Sequence, residues 1–188
     1  MQNDAWLVTK CQSGDKEAFG EIYDRYLRRL YDFIYFKTHH KETAEDLVSL
    51  VFAKALQNIQ SFDSQKGTLQ AWLFQIARNT IIDHYRTFKK EYDIEDAWDI
   101  GEDNDLDKDL DTKQKIAEIE KYLQTLKAEQ RDIIIMRVWQ GLSYQEISEI
   151  IGKSEANCKM IYSRAINKLR QEMPLNIFVT FLLLSRYI

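Results

Sequence analysis

Residues 143 to 170, SYQEISEIIGKSEANCKMIYSRAINKLR, hold the side chains best suited to chemistry with another molecule. Asn157, Lys159, Met160, Ser163, Arg164 and Asn167 recur at helical spacing on one outward side. Their amide, hydroxyl and cationic groups can reach the phosphates and base edges of duplex DNA. Met160 offers an apolar contact for a thymine methyl. This chemistry is recognition, not bond making. The chain has no phosphate-cradling glycine loop, no dinucleotide fingerprint and no nucleophile motif. His39 and His40 are adjacent, so on a helix they point to different faces, and Asp83 with His84 is an equally poor pair. Cys11 and Cys158 stand alone, with no CxxC partner and no histidine at ligand spacing. No catalytic residue, metal site or cofactor is expected.

A second group lies earlier in the chain. Gln75, Arg78, Asn79, Ile82 and Arg86 line one helical face at spacings of three and four. Amides and guanidinium groups on one face suit base and phosphate contacts. The bland reading, a solvated polar face, is the more ordinary one for each of these residues taken singly. Similarly, residues 143 to 170 by themselves also fit an ordinary helical hairpin with a charged face.

Each group needs a helix to hold it. Ser143 and Glu146 form a capping box that opens one helix. Gly152 suits the left-handed position that ends it, and Ser154 caps the next. Cys158, Ile161, Tyr162, Ala165 and Leu169 mark the inward side of that second helix. The pattern is a helix-turn-helix with the recognition helix second. Upstream, Thr68 can cap a helix running to about Lys89, with Leu69, Trp72, Leu73 and Ile76 facing its core, after a polar loop SFDSQKGT at 61–68. A helix over 15–36 follows from Phe19, Ile22, Tyr23, Tyr26, Leu30 and Ile34. Thr43 and Asp46 read as a capping box for another, ending near Asn58. That helix has a wide apolar face of Leu47, Val48, Val51, Phe52, Ala55, Leu56 and Ile59. Leu50 and Ala53 fall outside it. A helix apolar on two sides is either a central core helix or one that docks on another protein. Ile116, Ile119, Leu123 and Leu126 mark a further helix, and Ile133 to Trp139 lies in the next.

With one proline and six glycines in 188 residues, the chain favours an all-α fold. Net charge is −4, but its distribution matters more. Residues 91–111 carry eleven acids and one base, whereas residues 1–90 and 112–188 are each mildly basic. The expected organisation is therefore two small helical domains, 1–89 and 113–174, joined by an acidic flexible linker at 90–112. The apolar tail 175–188, LNIFVTFLLLSRYI, follows them. At fourteen residues it is shorter than the roughly 20 a membrane span needs. It reads as a helix packed on the second domain, with a partner site or membrane-surface contact as the alternatives. No stable membrane insertion is expected. MQNDAWLVTK is no secretory signal, and a reduced cytoplasm fits the isolated cysteines.

AEDLVSLVFAKAL (44–56), AWLFQIARNTIIDHYR (71–86) and the helix-turn-helix, in this order around an acidic linker, resemble a bacterial RNA polymerase sigma factor of the small two-domain extracytoplasmic-function type. The resemblance spans about Ala18 to Arg170. It implies a promoter-specificity subunit, not an enzyme, with core RNA polymerase and promoter DNA as partners and an anti-sigma factor as a possible regulator. It implies that the helix at 44–58 docks on the clamp helices of the largest polymerase subunit through Asp46, Leu47, Phe52 and Lys54. Leu50 adds an apolar contact, although Ser49 and Leu50 stand where the family usually shows Gln and Glu. It further implies that the 61–68 loop, with Lys66, and the face of Gln75, Arg78, Asn79 and Arg86 read a melted promoter element. Lys159, Ser163 and Arg164 then match positions that read a second element as duplex. The linker would follow polymerase's positively charged RNA path. A stand-alone helix-turn-helix regulator is the alternative, and it leaves the helix at 44–58 unexplained.

Overall fold

Several helix starts among the described residues are set by short polar side chains: Asn3, Asp15, Thr68, Ser143 and Ser154 each accept a hydrogen bond from a backbone N–H of the first turn. In a computed structural model, which describes residues 3–91 and 110–184, every regular element among the described residues is helical. The elements are α1 (Asp4–Gln12), α2 (Lys16–Thr38), α3 (Lys41–Asn58), a 3₁₀ turn (Ile59–Ser61) and α4 (Leu69–Glu91). Then come α5 (Leu110–Gln124), α6 (Ala128–Ile134), a π-helical turn (Ile135–Trp139), α7 (Tyr144–Ile151), α8 (Glu155–Glu172) and α9 (Leu175–Leu184). The chain divides into two compact units, the first carrying α1–α4 and the second α5–α9.

In the first unit, α2 packs against α1, α3 and α4, and α3 packs on α4. Ile22, Leu30, Phe33, Val51, Leu73 and Phe74 are fully buried where these helices meet, and the Phe33 and Phe74 rings lie 5.2 Å apart, edge to face. α1 was not legible in the sequence: nine residues give too short a period. The structure anchors it by burying Leu7, Val8 and Cys11. Asp4 of α1 also pairs with Arg25 and accepts a hydrogen bond from the Tyr26 hydroxyl, both on α2.

Two helix boundaries differ from expectation. α3 starts at Lys41, not at a Thr43–Asp46 box. The chain turns at His39, whose φ of 49° is left-handed, and the His40 imidazole then accepts from the Thr43 N–H at 3.3 Å. The histidine pair thus makes a corner, because α2 runs on to Thr38 and leaves two residues to reverse direction. α4 extends to Glu91 and α5 begins at Leu110, so helix occupies both ends of the segment expected as linker over 90–112. The rest of that segment lies outside the described residues.

In the second unit, α8 is the central support, packed on α6, α7 and α5, while α9 lies mainly on α5. Leu126 follows α5 instead of ending it, and is buried in the turn where Arg131 donates to the Leu123 carbonyl at 3.1 Å. Ile133 through Met136 are fully buried. The tail is helical over Leu175–Leu184. Ile177 and Phe181 are buried, with the Phe181 ring 5.7 Å from Trp139. Its other side stays in solvent: Leu175, Val179 and Leu183 are exposed. Intramolecular packing therefore accounts for only one side of this apolar helix. No helix among the described residues is long and apolar enough to cross a membrane.

Candidate nucleic-acid interface

The helix-turn-helix is built as its caps dictate. Ser143 Oγ accepts from the Glu146 N–H at 3.2 Å, and a Glu146 carboxylate oxygen accepts from the Ser143 N–H at 2.8 Å. Gly152 closes α7 at φ 74°, a conformation that strains any residue with a Cβ. Two residues later, Ser154 Oγ accepts from the Asn157 N–H at 3.3 Å and opens α8. α8 then buries Cys158, Ala165 and Leu169, and half-buries Ile161 and Tyr162. Burial also pushes the Tyr162 hydroxyl and the Cys158 thiol above their ordinary pKa values, so both stay neutral at physiological pH.

The opposite face of α8 carries Lys159, Met160, Ser163, Arg164 and Asn167, all exposed, with Asn157 half-buried at its edge. The arrangement is a rigid helix whose polar and cationic side chains project together. Lys159 is held on both sides: its Nζ lies 2.6 Å from a Glu155 carboxylate oxygen and 5.7 Å above the Tyr144 ring. Arg137 sits over the same ring at 4.8 Å and donates to the Leu142 carbonyl at 2.8 Å. Sequence reasoning missed this cluster. The Glu155–Lys159 pair was legible as an i,i+4 spacing, but the approach of Arg137 and Tyr144 depends on how α7 sits against the π-helical turn.

In the first unit, Gln75, Asn79, Ile82 and Arg86 are exposed on α4, and Arg78 is half-buried beside them. Thr68 Oγ1 accepts from the Ala71 N–H at 3.1 Å and fixes the start of this helix. In the preceding loop, Asp63 accepts from the Gln65 N–H at 3.0 Å, a backbone bond that holds its carboxyl below the usual range. Lys66 is exposed and pairs with Asp63 at 3.4 Å.

The residues expected to dock on polymerase separate into three kinds. Asp46 and Leu50 are exposed on α3, as are Ser49, Ala53, Leu56 and Gln57. Leu47 and Phe52 are buried, with the Tyr23 ring 4.5 Å from Phe52. Lys54 is half-buried and donates to Thr80 Oγ1 on α4 at 3.1 Å. Leu56, read from the sequence as core, is 53% exposed. The apolar arc of α3 is narrower than its period suggests by one residue, and α3 presents two leucines to solvent instead of one. No group of His, Cys, Asp and Glu that could hold a metal occurs among the described residues.

Among the described residues, a helix-turn-helix on one unit and an amide–guanidinium face on the other give an all-α, two-unit protein with the outward chemistry of a nucleic-acid binder. Residues 22–91 match the family description "Sigma-70 region 2" and residues 116–169 match "Sigma-70, region 4". The ECF RNA polymerase sigma factor SigM of Bacillus subtilis is 34% identical over 152 residues, covering 80% of this chain and 91% of that protein. The ECF RNA polymerase sigma factor BldN of Streptomyces coelicolor is 34% identical over 172 residues, covering 89% of this chain. Of that longer relative the chain spans 65%. The sigma factor RpoE of Bartonella quintana, solved with the anti-sigma factor NepR, superposes with a TM-score of 0.67 at 29% identity, covering 81% of this chain and 94% of that one. The chain belongs to the sigma-70 family of RNA polymerase sigma factors, in its extracytoplasmic-function group.

Proposed function

We propose that this sigma factor binds core RNA polymerase, recognises two promoter elements and assists DNA melting at initiation, without covalent chemistry of its own. The observation that carries the reading is the pairing of the two family regions with three different exposed faces. Region 4 contains the α8 face, suited to duplex DNA. Region 2 contains both the α4 face and the exposed arc of α3. A stand-alone regulator would need only the first of these.

Within this reading, Lys159, Ser163 and Arg164 read the duplex element, with Asn157 and Met160 flanking them. Gln75, Arg78, Asn79, Arg86 and Lys66 hold the melted strand, where extruding a base costs a few kcal/mol. Polymerase docking falls to Asp46, Leu50 and Leu56. Leu47 and Phe52 are buried, so they support α3 from beneath, and Lys54 ties α3 to α4. Two weak contacts on one tether raise the effective concentration of each. The protein works in the cytoplasm, where polymerase is, and an anti-sigma factor is the expected regulator. A pull-down with the cognate core polymerase, followed by transcription from a randomised promoter library, tests the whole reading. Failure to hold core polymerase, or transcription with no preferred promoter, refutes it.

A further inference from the structure

The 59–68 segment, which carries Lys66, is fastened at its base by a residue far away in sequence. Gln12 is the last residue of α1. Its side-chain amide nitrogen donates to the Ile59 carbonyl at 2.9 Å and to the Phe62 carbonyl at 2.8 Å. In return the Gln60 side-chain amide donates to the Gln12 carbonyl at 3.3 Å. These three bonds enclose the 3₁₀ turn Ile59–Ser61, where the chain leaves α3 and enters the loop. Beyond the turn, the Phe62 ring lies 5.1 Å from Trp72 of α4, and Thr68 caps α4. The loop is thus pinned at its far end by α4 and at its near end by α1.

A helix-ending carbonyl needs a donor, and here a side chain from another helix supplies it. A carboxamide nitrogen has two N–H groups, one for each carbonyl. That matches the two acceptors Ile59 and Phe62. Gln12 also lies outside residues 22–91, the region 2 match, so α1 adds a fastening that this match does not include.

We propose that Gln12 is a positioning residue for recognition of the melted promoter strand, a role that rests on the function proposed above. It orders the base of the loop in advance, so that binding single-stranded DNA does not have to. Gln12 touches no DNA. The fold does not depend on it, because α1 is held by buried Leu7, Val8 and Cys11.

The test uses the full chain assembled with its cognate core polymerase, on a promoter recovered from a randomised library. Gln12→Ala and the near-isosteric Gln12→Glu, which cannot donate, are compared with the wild type. The probe is a single-stranded oligonucleotide of the recovered non-template sequence, and thymine reactivity to permanganate reports melting. Both variants are expected to bind core polymerase and closed duplex as the wild type does. Affinity for the single strand should fall on the order of tenfold, the worth of two ordinary hydrogen bonds near the low end of their range. Permanganate reactivity should fall with it. Unchanged single-strand affinity in both variants overturns the proposal. So does an equal loss of polymerase binding, which would make the contact merely structural. A wild-type chain that melts no promoter defeats the functional reading itself, and is thereby distinguished from a failure of Gln12 alone.

Discussion

Replacing Leu50 by Ala tests whether the exposed arc of α3 is the polymerase-docking surface. Fully burying a leucine side chain is worth about 1.5–3 kcal/mol. Leu50 is 44% exposed in the free protein, so docking can gain at most that share of the value, roughly 0.7–1.3 kcal/mol. Leu50→Ala forfeits most of this, which is roughly three- to tenfold in Kd. Leu56 is 53% exposed and adds a comparable share, so the double variant Leu50→Ala/Leu56→Ala should lose roughly ten- to a hundredfold. Neither change should lower the melting temperature much, since neither side chain is in the core. Leu47→Ala and Phe52→Ala behave oppositely. Both residues are buried, and truncation there costs about 2–5 kcal/mol of folding stability. The assay is competition with a labelled wild-type chain for core polymerase, run beside thermal unfolding by circular dichroism. Wild-type affinity in the folded double variant would refute the assignment of this arc.

Arg164→Ala should cost about 1–3 kcal/mol in duplex promoter binding and relax preference at one base pair, if its exposed guanidinium makes a bidentate base contact. A uniform loss across a sequence library would assign it to phosphate instead. Phe181→Ala removes a fully buried ring that meets Trp139 at 5.7 Å, and should destabilise the second unit by about 3–5 kcal/mol in a denaturant titration. An unchanged unfolding midpoint would show that α9 is not part of that unit's core. Burial pushes the Glu120 carboxyl from 4.5 up to about 7. The folded state then holds this proton more tightly than the unfolded chain. Its contribution is complete below pH 4.5 and is lost as pH rises through about 7. Glu120→Gln should therefore raise stability at pH 8 by about 1–3 kcal/mol, allowing for partial exposure, and leave it nearly unchanged at pH 4. Parallel pH–stability curves for wild type and variant would contradict this.

The caps of the helix-turn-helix could be read residue by residue. Ser143 with Glu146, Gly152 and Ser154 act within a few residues of themselves, so local rules suffice for them. The same holds for Thr68, for the all-α class and for the outward faces of α4 and α8, where the period of 3.6 separates buried from exposed positions. Local rules failed where the deciding partner was distant. α3 begins at Lys41 because α2 runs long and leaves His39 and His40 to turn the corner; the Thr43–Asp46 spacing could not report that. Leu56 shares the apolar arc of Leu47 and Phe52 in the sequence, but the packing around α3 puts the latter two inside and leaves Leu56 in water. The Arg137–Tyr144–Lys159 cluster and the Gln12 fastening join residues that have no periodic relation. Sequence by itself determined the helical segments other than α1 and the polar faces of α4 and α8. Tertiary structure decided which positions of each apolar arc are covered, because burial is set by neighbouring helices and not by the residue's own hydrophobicity.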